Sequence, residues 1–482
     1  MGGWNMGGEK IEDTEKKEKG SGVPHKPVSG AAGRADFAGM RAAAEAVASV
    51  TAEMAENDFP LDEEQRKIFD IIERTSRNVF IQGRAGTGKT TFIQYLRRHS
   101  AKKIRVVCPT AAAAVNLGAA TIHSLFRLPL SDFFIFEDIL SVPRKKLQSV
   151  LMRTDLLIID EVSMVRPDML DAVDLLSREA RCNHLQPFGG MQVLLVGDLA
   201  QLPPVIKPGA CEAFEYKYGL RQPYFFHSDA YLEGNFQKIE MEKVYRQNDT
   251  ELLEQLGRIR GNYDIAAAAA YFNACGQATP EYLKTAVTLT PYRNVADSMN
   301  ARRLSEICAP SRKYMAAALG TFETSKDCPA PRVLELKPGA LIIFNRNNPG
   351  IWINGTAGTV CAAGDDSIEV ELLGSGRHVC VQREEWKSYR YDFDRVSGRV
   401  VETETGTFTQ FPLQLGYALT IHKAQGKTLD KVAIDVKHGA FAHGQIYVAL
   451  SRTRRKEDIR LIGRICEEDI ITDPAVAEFI KN

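Results

Sequence analysis

From Phe59 onward, short apolar and β-branched runs alternate with longer stretches of helical periodicity. The runs Asn78–Gln82, Ile104–Cys108, Leu156–Asp160 and Gln192–Val196 are short and almost wholly apolar. They predict a parallel sheet with helices on both faces. A second series, Ala286–Thr290, Tyr417–Ile421, Val432–Val436 and Ile459–Ile462, predicts a second α/β domain of similar make-up. Between its early and late strands the texture changes. Ala340–Phe344, Ser367–Leu372 and Arg377–Val381 are punctuated by Pro338-Gly339, Asn354-Gly355 and Gly374. This predicts a small antiparallel barrel inserted into the second domain.

The expected fold class is therefore α/β, with two P-loop-type parallel-sheet domains and an inserted β-barrel. Residues 58–215 are assigned to the first domain, 216–330 and 409–482 to the second, and 331–408 to the insert. Residues 1–57 are expected to be disordered and partly helical. The first 34 are rich in Gly, Lys and Glu, and an Ala/Met/Val pattern follows from Phe37 to Glu56. No internal repeat of fixed period is present.

Composition narrows the partners. The 482 residues hold 61 Lys+Arg and 61 Asp+Glu, so the net charge is zero. Nucleic-acid contact must then come from a local surface and not from bulk attraction. The longest uncharged run, Val106 to Phe126, contains Pro109, Asn116 and His123 and is too polar for a membrane span. The nine cysteines include no C-x-x-C pair. That argues against a zinc ribbon or a disulfide framework, and the expected role of these residues is that of small buried hydrophobes.

The strongest chemical signal is Gly83-Arg84-Ala85-Gly86-Thr87-Gly88-Lys89-Thr90, a G-x-x-x-x-G-K-[ST] loop between a strand-like and a helical run. Its backbone N–H groups would wrap phosphates, assisted by the positive end of the following helix. Gly83, Ala85, Gly86, Thr87, Gly88, Lys89, Thr90 and Thr91 are the candidate ATP-binding residues. Lys89 would reach the β- and γ-phosphates, and Thr90 would sit on Mg²⁺. Gly426-Lys427-Thr428 is not a second such loop, because Ile421 stands where the first Gly is needed. Asp160 and Glu161 end a buried strand. Asp160 is placed to hold Mg²⁺, and Glu161 to orient and deprotonate an attacking water. Gln201, in Gly197-Asp198-Leu199-Ala200-Gln201-Leu202-Pro203-Pro204, is a candidate sensor of the γ-phosphate.

Here a resemblance becomes specific. Over about Phe59 to Gly463 the chain resembles superfamily-1 helicases of the 5′→3′, RecD-like branch, and within them the PIF-type (petite integration frequency) DNA helicases. Leu61-Asp62-Glu63-Glu64-Gln65 resembles the family's Q motif. Val107-Cys108-Pro109-Thr110-Ala111 and Thr121-Ile122-His123-Ser124-Leu125-Phe126 resemble early DNA-contacting motifs. Val244-Tyr245-Arg246-Gln247, Ala418–Gly426 and Tyr447-Val448-Ala449-Leu450-Ser451-Arg452 resemble the fourth, fifth and sixth motifs. Asp168-Met169-Leu170-Asp171 through Pro187–Gln192 resembles the PIF-type signature, which RecD-like relatives generally lack.

The resemblance implies two RecA-like domains, an SH3-like insert and a short wedge insertion at about 127–146 carrying Phe133, Phe134 and Phe136. It implies that Gln65 reads adenine and that Arg246 and Arg452 are arginine fingers. Pro109, Thr110, His123, Thr420, His422 and Lys423 would contact DNA. Trp352 and Trp386 are expected in the core of the insert. The implied cofactors are ATP and Mg²⁺, and the partners single-stranded and forked DNA. The implied activity is ATP-dependent 5′→3′ unwinding, with G-quadruplexes a further candidate substrate, by a protein monomeric in solution. The expected location is the bacterial cytoplasm or a eukaryotic nucleus or mitochondrion. Two alternatives stay open: a RecD-like ATPase subunit without autonomous unwinding, and a P-loop switch with no DNA role.

Overall fold

The computed structural model describes residues 60–110, 113–114, 117–129, 131–135, 139, 144–245, 249–325, 328–348, 350–394 and 399–481. The extension expected over 1–57 lies outside them.

The first domain opens with α1 (Glu63–Arg74). Asp62 caps it by accepting a hydrogen bond from the Gln65 N–H at 2.8 Å, and Gln65 returns its side-chain oxygen to the Asp62 N–H. Then come β1 (Val79–Gly83), α2 (Lys89–His99), β2 (Ile104–Cys108), β3 (Ala120–Thr121), α3 (Ile122–Phe126), β4 (Leu156–Ile159), α4 (Pro167–Arg181), β5 (Gln192–Gly197) and β6 (Gln237–Met241). The strands form one parallel sheet in the order β3-β2-β4-β5-β1-β6. Alternate side chains enter two different cores. Phe80, Val107, Leu157, Ile159, Val193 and Leu195 pack with α3 and α4. Val79, Ile81, Val106, Leu156, Ile158 and Leu194 pack with α1 and α2. This burial of both faces is what the uniformly apolar runs predict.

The second domain runs through α5 (Thr250–Gly261), β7 (Val287–Thr290), an insert, β18 (Ala418–Thr420), α6 (Ile421–Ala424), β19 (Val432–Asp435), α7 (Gln445–Leu450) and β20 (Ile459–Ile462). Its four strands are parallel, in the order β18-β7-β19-β20. All four follow the runs read from the sequence.

The boundary assigned at residue 216 is corrected. Residues up to Met241 belong to the first domain: β6 pairs with β1, and Tyr224, Phe225, Ala230 and Tyr231 enter the first core. The sequence hid β6 because an edge strand alternates polar and apolar residues. The helix Pro474–Lys481 also leaves the second domain. Its Val476 is buried in the first core, and Phe479 stacks on Phe226 with ring centroids 4.1 Å apart.

The insert is wider than 331–408. It spans β8 (Arg312–Met315), β9 (Ala317–Gly320), β10 (Val333–Leu336), β11 (Leu341–Phe344), β12 (Ala357–Ala363), β13 (Ser367–Leu372), β14 (His378–Gln382), β15 (Glu384–Asp394), β16 (Arg399–Gln410) and β17 (Leu413–Leu415). These strands form sheets of five (β14-β13-β12-β11-β17), three (β15-β16-β9) and two (β10-β8) strands. Trp352 stacks on Phe344 at 4.3 Å and Trp386 packs on Phe408, both buried, so neither is a surface platform. The long β15–β16 hairpin reaches the first domain, where the Ser124 hydroxyl donates to the Tyr389 carbonyl at 3.2 Å.

Candidate nucleotide and nucleic-acid site

In a parallel sheet, ligand sites gather at the carboxyl ends of the strands. The first sheet follows this rule. The phosphate loop leaves β1, Pro109-Thr110 leaves β2, Asp160-Glu161 leaves β4 and Asp198–Gln201 leaves β5.

The loop's conformation depends on its glycines. Gly86 and Gly88 hold φ of 87° and 81°, where a side chain would be strained. A Cβ on Gly83 would meet the Thr87 hydroxyl at 2.7 Å. Gly88 begins α2 without a side-chain cap, so the first N–H groups of the helix face the loop. A helix start of this kind, with its positive dipole end, is suited to an anion. The Lys89 ammonium donates to the carbonyls of Gly83 (2.7 Å) and Arg84 (2.9 Å). Thr90 and Thr91 are exposed on the cleft wall. Gln65 is buried, with its amide nitrogen against Gly88. Tyr245 closes this end: its N–H donates to the Gly86 carbonyl at 2.9 Å, and its hydroxyl bonds Asp62. Arg246, the next residue but one from Val244, lies outside the described residues.

Glu161 has φ 52° and ψ 42°, a left-handed backbone rare for a residue with a side chain. Strain of this kind persists where the surroundings over-determine a position, often at functional sites. Burial pushes the carboxyl of Asp160 up, and the charge of Glu161 adds to it. Burial also raises Glu161, while Lys89, Arg452 and a hydrogen bond from Gln425 pull it back and Asp198 pushes it further up. A base raised toward neutrality takes protons more readily from water.

The second domain supplies the opposite wall. Gly426, Thr428, Arg452 and Arg454 line the cleft with the phosphate loop, Glu161, Gln201 and Tyr245. Arg452 is buried. Its Nε donates to the Val448 carbonyl at 2.7 Å, and Nη2 to the Ser451 hydroxyl at 2.7 Å. The structure thus brings Lys89, Glu161, Gln201 and Arg452 to one cleft, with Asp160 buried next to Glu161.

Four contributors went unread. Gln425 Nε2 donates to Glu161 at 3.2 Å, linking the base to the second domain. Asp198, fully buried, accepts from Gln201 Nε2 at 3.0 Å and from the Tyr447 hydroxyl at 3.2 Å. Arg260, on α5, lies 3.4 Å from Asp198 and 2.5 Å from Glu240 on β6. Asp198, Gln425 and Tyr447 lie inside recognised motifs. Arg260 carries no sequence signal at all.

A PIF1-like helicase model matches residues 60–258. The ATP-dependent DNA helicase Pif1 of Bdellovibrio bacteriovorus is 33% identical over 435 residues, covering 89% of this chain and 93% of that protein. The chain belongs to the PIF1-like helicase family. Among solved structures, Pif1 from Bacteroides sp. in complex with ADP-AlF4 is 34% identical, with TM-score 0.80 over 88% of this chain and 97% of that one. Bacteroides Pif1 bound to single-stranded DNA, at the same identity and coverage, has TM-score 0.61.

Against this PIF1-like background the residues implied for DNA fall into two matching sets. In the first domain Thr110 Oγ1 accepts from the Ala113 N–H (3.3 Å), and Thr121 Oγ1 caps α3 through Ser124 N–H (3.1 Å). In the second, Thr420 Oγ1 caps α6 through Lys423 N–H (3.3 Å). Each is a strand–Thr–helix corner, those of Thr121 and Thr420 on the edge strands of their sheets. Pro109 and Thr110 are half-buried and Lys423 is exposed. His123 and His422 are half-buried, and desolvation lowers both pKa values, in His123 with help from Arg166. At neutral pH they are uncharged, able to stack or hydrogen-bond but not to act as cations.

The PIF-type signature is a scaffold. Asp168, Asp171 and Asp174 recur every three residues on α4 and each ties down a different segment. Asp168 accepts from Phe134 N–H (2.9 Å) and Arg166, Asp171 from Ala230 N–H (3.0 Å) and the Tyr218 hydroxyl (2.7 Å). Asp174 accepts from Phe188 N–H (2.5 Å) and Arg178 Nε (2.7 Å). Phe134 of the 127–146 segment is buried, and Phe133 packs edge-on against Phe214, so both face the domain. Phe136 lies outside the described residues.

Proposed function

We propose that this chain is an ATP-dependent DNA helicase that moves 5′→3′ along single-stranded DNA and separates duplex ahead of it. The observation that carries the reading is the cleft itself: phosphate loop, paired carboxylates and a buried arginine, supplied by two domains that each present a Thr-capped corner. Membership of the PIF1-like family supports it.

ATP's phosphates would draw the Lys89 ammonium from two carbonyl dipoles to full negative charges. Mg²⁺ fits the residues present: Asp160 is buried beside a second carboxylate with no salt bridge among the described residues, and Thr90 adds a hydroxyl, both hard oxygen donors. Bound there, it would neutralise phosphate charge. Glu161 takes the proton of the attacking water. Arg452 offers a permanent planar cation to charge developing on the transferring phosphoryl group. Gln425 joins Glu161 to the corner bearing His422 and Lys423, so strand binding on that corner reaches the base through two peptide units.

The test is unwinding of partial duplexes with 5′ or 3′ tails, with and without ATP. ATP-dependent separation from the 5′ tail alone is expected. Separation from the 3′ tail alone overturns the polarity. DNA-stimulated hydrolysis without strand separation would favour an accessory ATPase subunit.

A further inference from the structure

Five of the nine cysteines, Cys182, Cys308, Cys361, Cys380 and Cys466, are exposed, against the expectation that the set packs the interior. One of them has company. Cys361 on β12, Glu371 on β13 and His378 on β14 present one thiol sulfur, one carboxylate oxygen and one imidazole nitrogen, all within 4.8 Å of one another. The Cys361 Sγ to His378 Nδ1 distance is 3.8 Å.

We propose that these three side chains form a surface site for a borderline-soft divalent metal, Zn²⁺ above all, with water as the fourth ligand. Zn–S and Zn–N bonds of about 2.3 and 2.05 Å at a tetrahedral angle place sulfur and nitrogen about 3.6 Å apart. The observed separation needs an adjustment of a few tenths of an ångström. One thiolate, one imidazole and one carboxylate form a mixed set suited to Zn²⁺ and poorly suited to Mg²⁺ or Ca²⁺.

The backbone explains how the three converge. Glu371 and His378 are direct cross-strand partners, so their side chains rise from the same face. Thr359 pairs with Glu371, and regular pairing would carry Cys361 on to face Glu369. A register shift between Val360 and Ala362 makes Cys361 the extra residue of a bulge, and bulges re-aim side chains. Glu371 takes part in no salt bridge among the described residues, so no lysine or arginine competes for its carboxylate. The ligands stand on three adjacent strands, so a bound ion staples β12, β13 and β14. Binding transfers the Cys361 proton to solvent as the thiolate forms.

The experiment uses the reduced full-length protein titrated with Co²⁺ as spectroscopic probe and then Zn²⁺ in competition. Expected are one equivalent with a thiolate-to-cobalt charge-transfer band, tetrahedral ligand-field absorption, displacement by Zn²⁺ and release of a proton. Cys361→Ser should abolish the charge-transfer band. Glu371→Gln and His378→Ala should each weaken binding at least about tenfold, the least that loss of a supporting partner costs at such sites. Cys380→Ser should leave the band intact, although Cys380 is exposed two residues from His378. An unchanged band in Cys361→Ser, or none in the parent protein, overturns the proposal. The altered side chains are not part of the nucleotide cleft, so DNA-stimulated hydrolysis of every variant reports that the chain is folded.

Discussion

Glu161 combines a left-handed backbone, a raised carboxyl and a hydrogen bond from the other domain. Replacing it by Gln keeps size and hydrogen bonding and removes the proton acceptor. DNA-stimulated hydrolysis should fall at least about 10²-fold with nucleotide affinity nearly unchanged; steady-state turnover beside fluorescent-nucleotide binding measures both. Arg452→Ala should lower kcat by on the order of 10³-fold, far more than it weakens binding. Lys should rescue it poorly for want of the planar fork. Normal turnover of Arg452→Ala in saturating single-stranded DNA would reduce the residue to a brace for its carbonyl partners. Lys427, beside the cleft, is half-buried; among the described residues its ammonium donates to Asn354 (2.6 Å) and Asn345 (3.5 Å), and desolvation, aided by Lys423, lowers its pKa to about 8. The unfolded chain holds that proton up to about 10.5, so between about 8 and 10.5 the unfolded state binds more protons. This side chain's contribution to stability therefore rises with pH across that window. At neutral pH it costs the native state about 3 kcal/mol. Lys427→Met should flatten the slope in urea titrations at pH 7.5 and 10.

Among the elements, α4 shows how a family signature can be architectural. Asp168 receives a loop N–H, Asp171 one from the first turn of the helix Asp229–Glu233 and Asp174 one from the turn Pro187–Gly190. None of these donors has a backbone acceptor among the described residues, and buried backbone donors need partners. Phe188, held at φ 53° within Pro187–Gly190, depends on Asp174 to receive its N–H. Asp174→Ala should therefore leave that donor without its acceptor and take one of three partners from Arg178, which keeps Glu233 and the His184 carbonyl, at a cost of about 3 kcal/mol. The urea midpoint should drop accordingly. The folded fraction should hydrolyse ATP normally, since Asp174 is not among the residues lining the cleft.

For the whole molecule, the decisive connection is Asp198 with Arg260 and Tyr447. Asp198 ends a strand of the first sheet, whereas Arg260 and Tyr447 stand on helices of the second core. Ala200 and Leu202, just beyond Asp198, are themselves buried in that second core. The loop carrying Gln201 is thus shared property of both domains, and closing or opening the cleft must move it. Arg260→Met keeps the side-chain volume and removes the cation, leaving the buried Asp198 with neutral donors alone, from Ala200 N–H, Gln201 and Tyr447. Stability should fall by about 3–5 kcal/mol. DNA stimulation of hydrolysis should fall more than nucleotide affinity. Equal loss of both, or of neither, would show that Arg260 only fills space.

What the sequence determined by itself was everything carried by short-range pattern. The phosphate loop was legible because its geometry is local: glycines at fixed spacing, then a helix. Eight of the ten strands of the two parallel sheets were legible because they read as short, mostly apolar runs. Asp160 and Glu161 were legible because a strand must end before a ligand site begins. Only the tertiary structure decided the rest, and in each case the partner lies far away in the chain. The edge strand Gln237–Met241 and the helix Pro474–Lys481 look like parts of the second domain until their contacts place them on the first. His123 and His422 have lowered pKa values because of what packs over them. Arg260 has no motif, since its meaning is a carboxylate 62 residues earlier, and Gln425 acquires its role only when a residue 264 positions away meets it across the cleft. Local propensity and periodicity act over a few residues, whereas desolvation and charge pairing depend on which distant surfaces fold together.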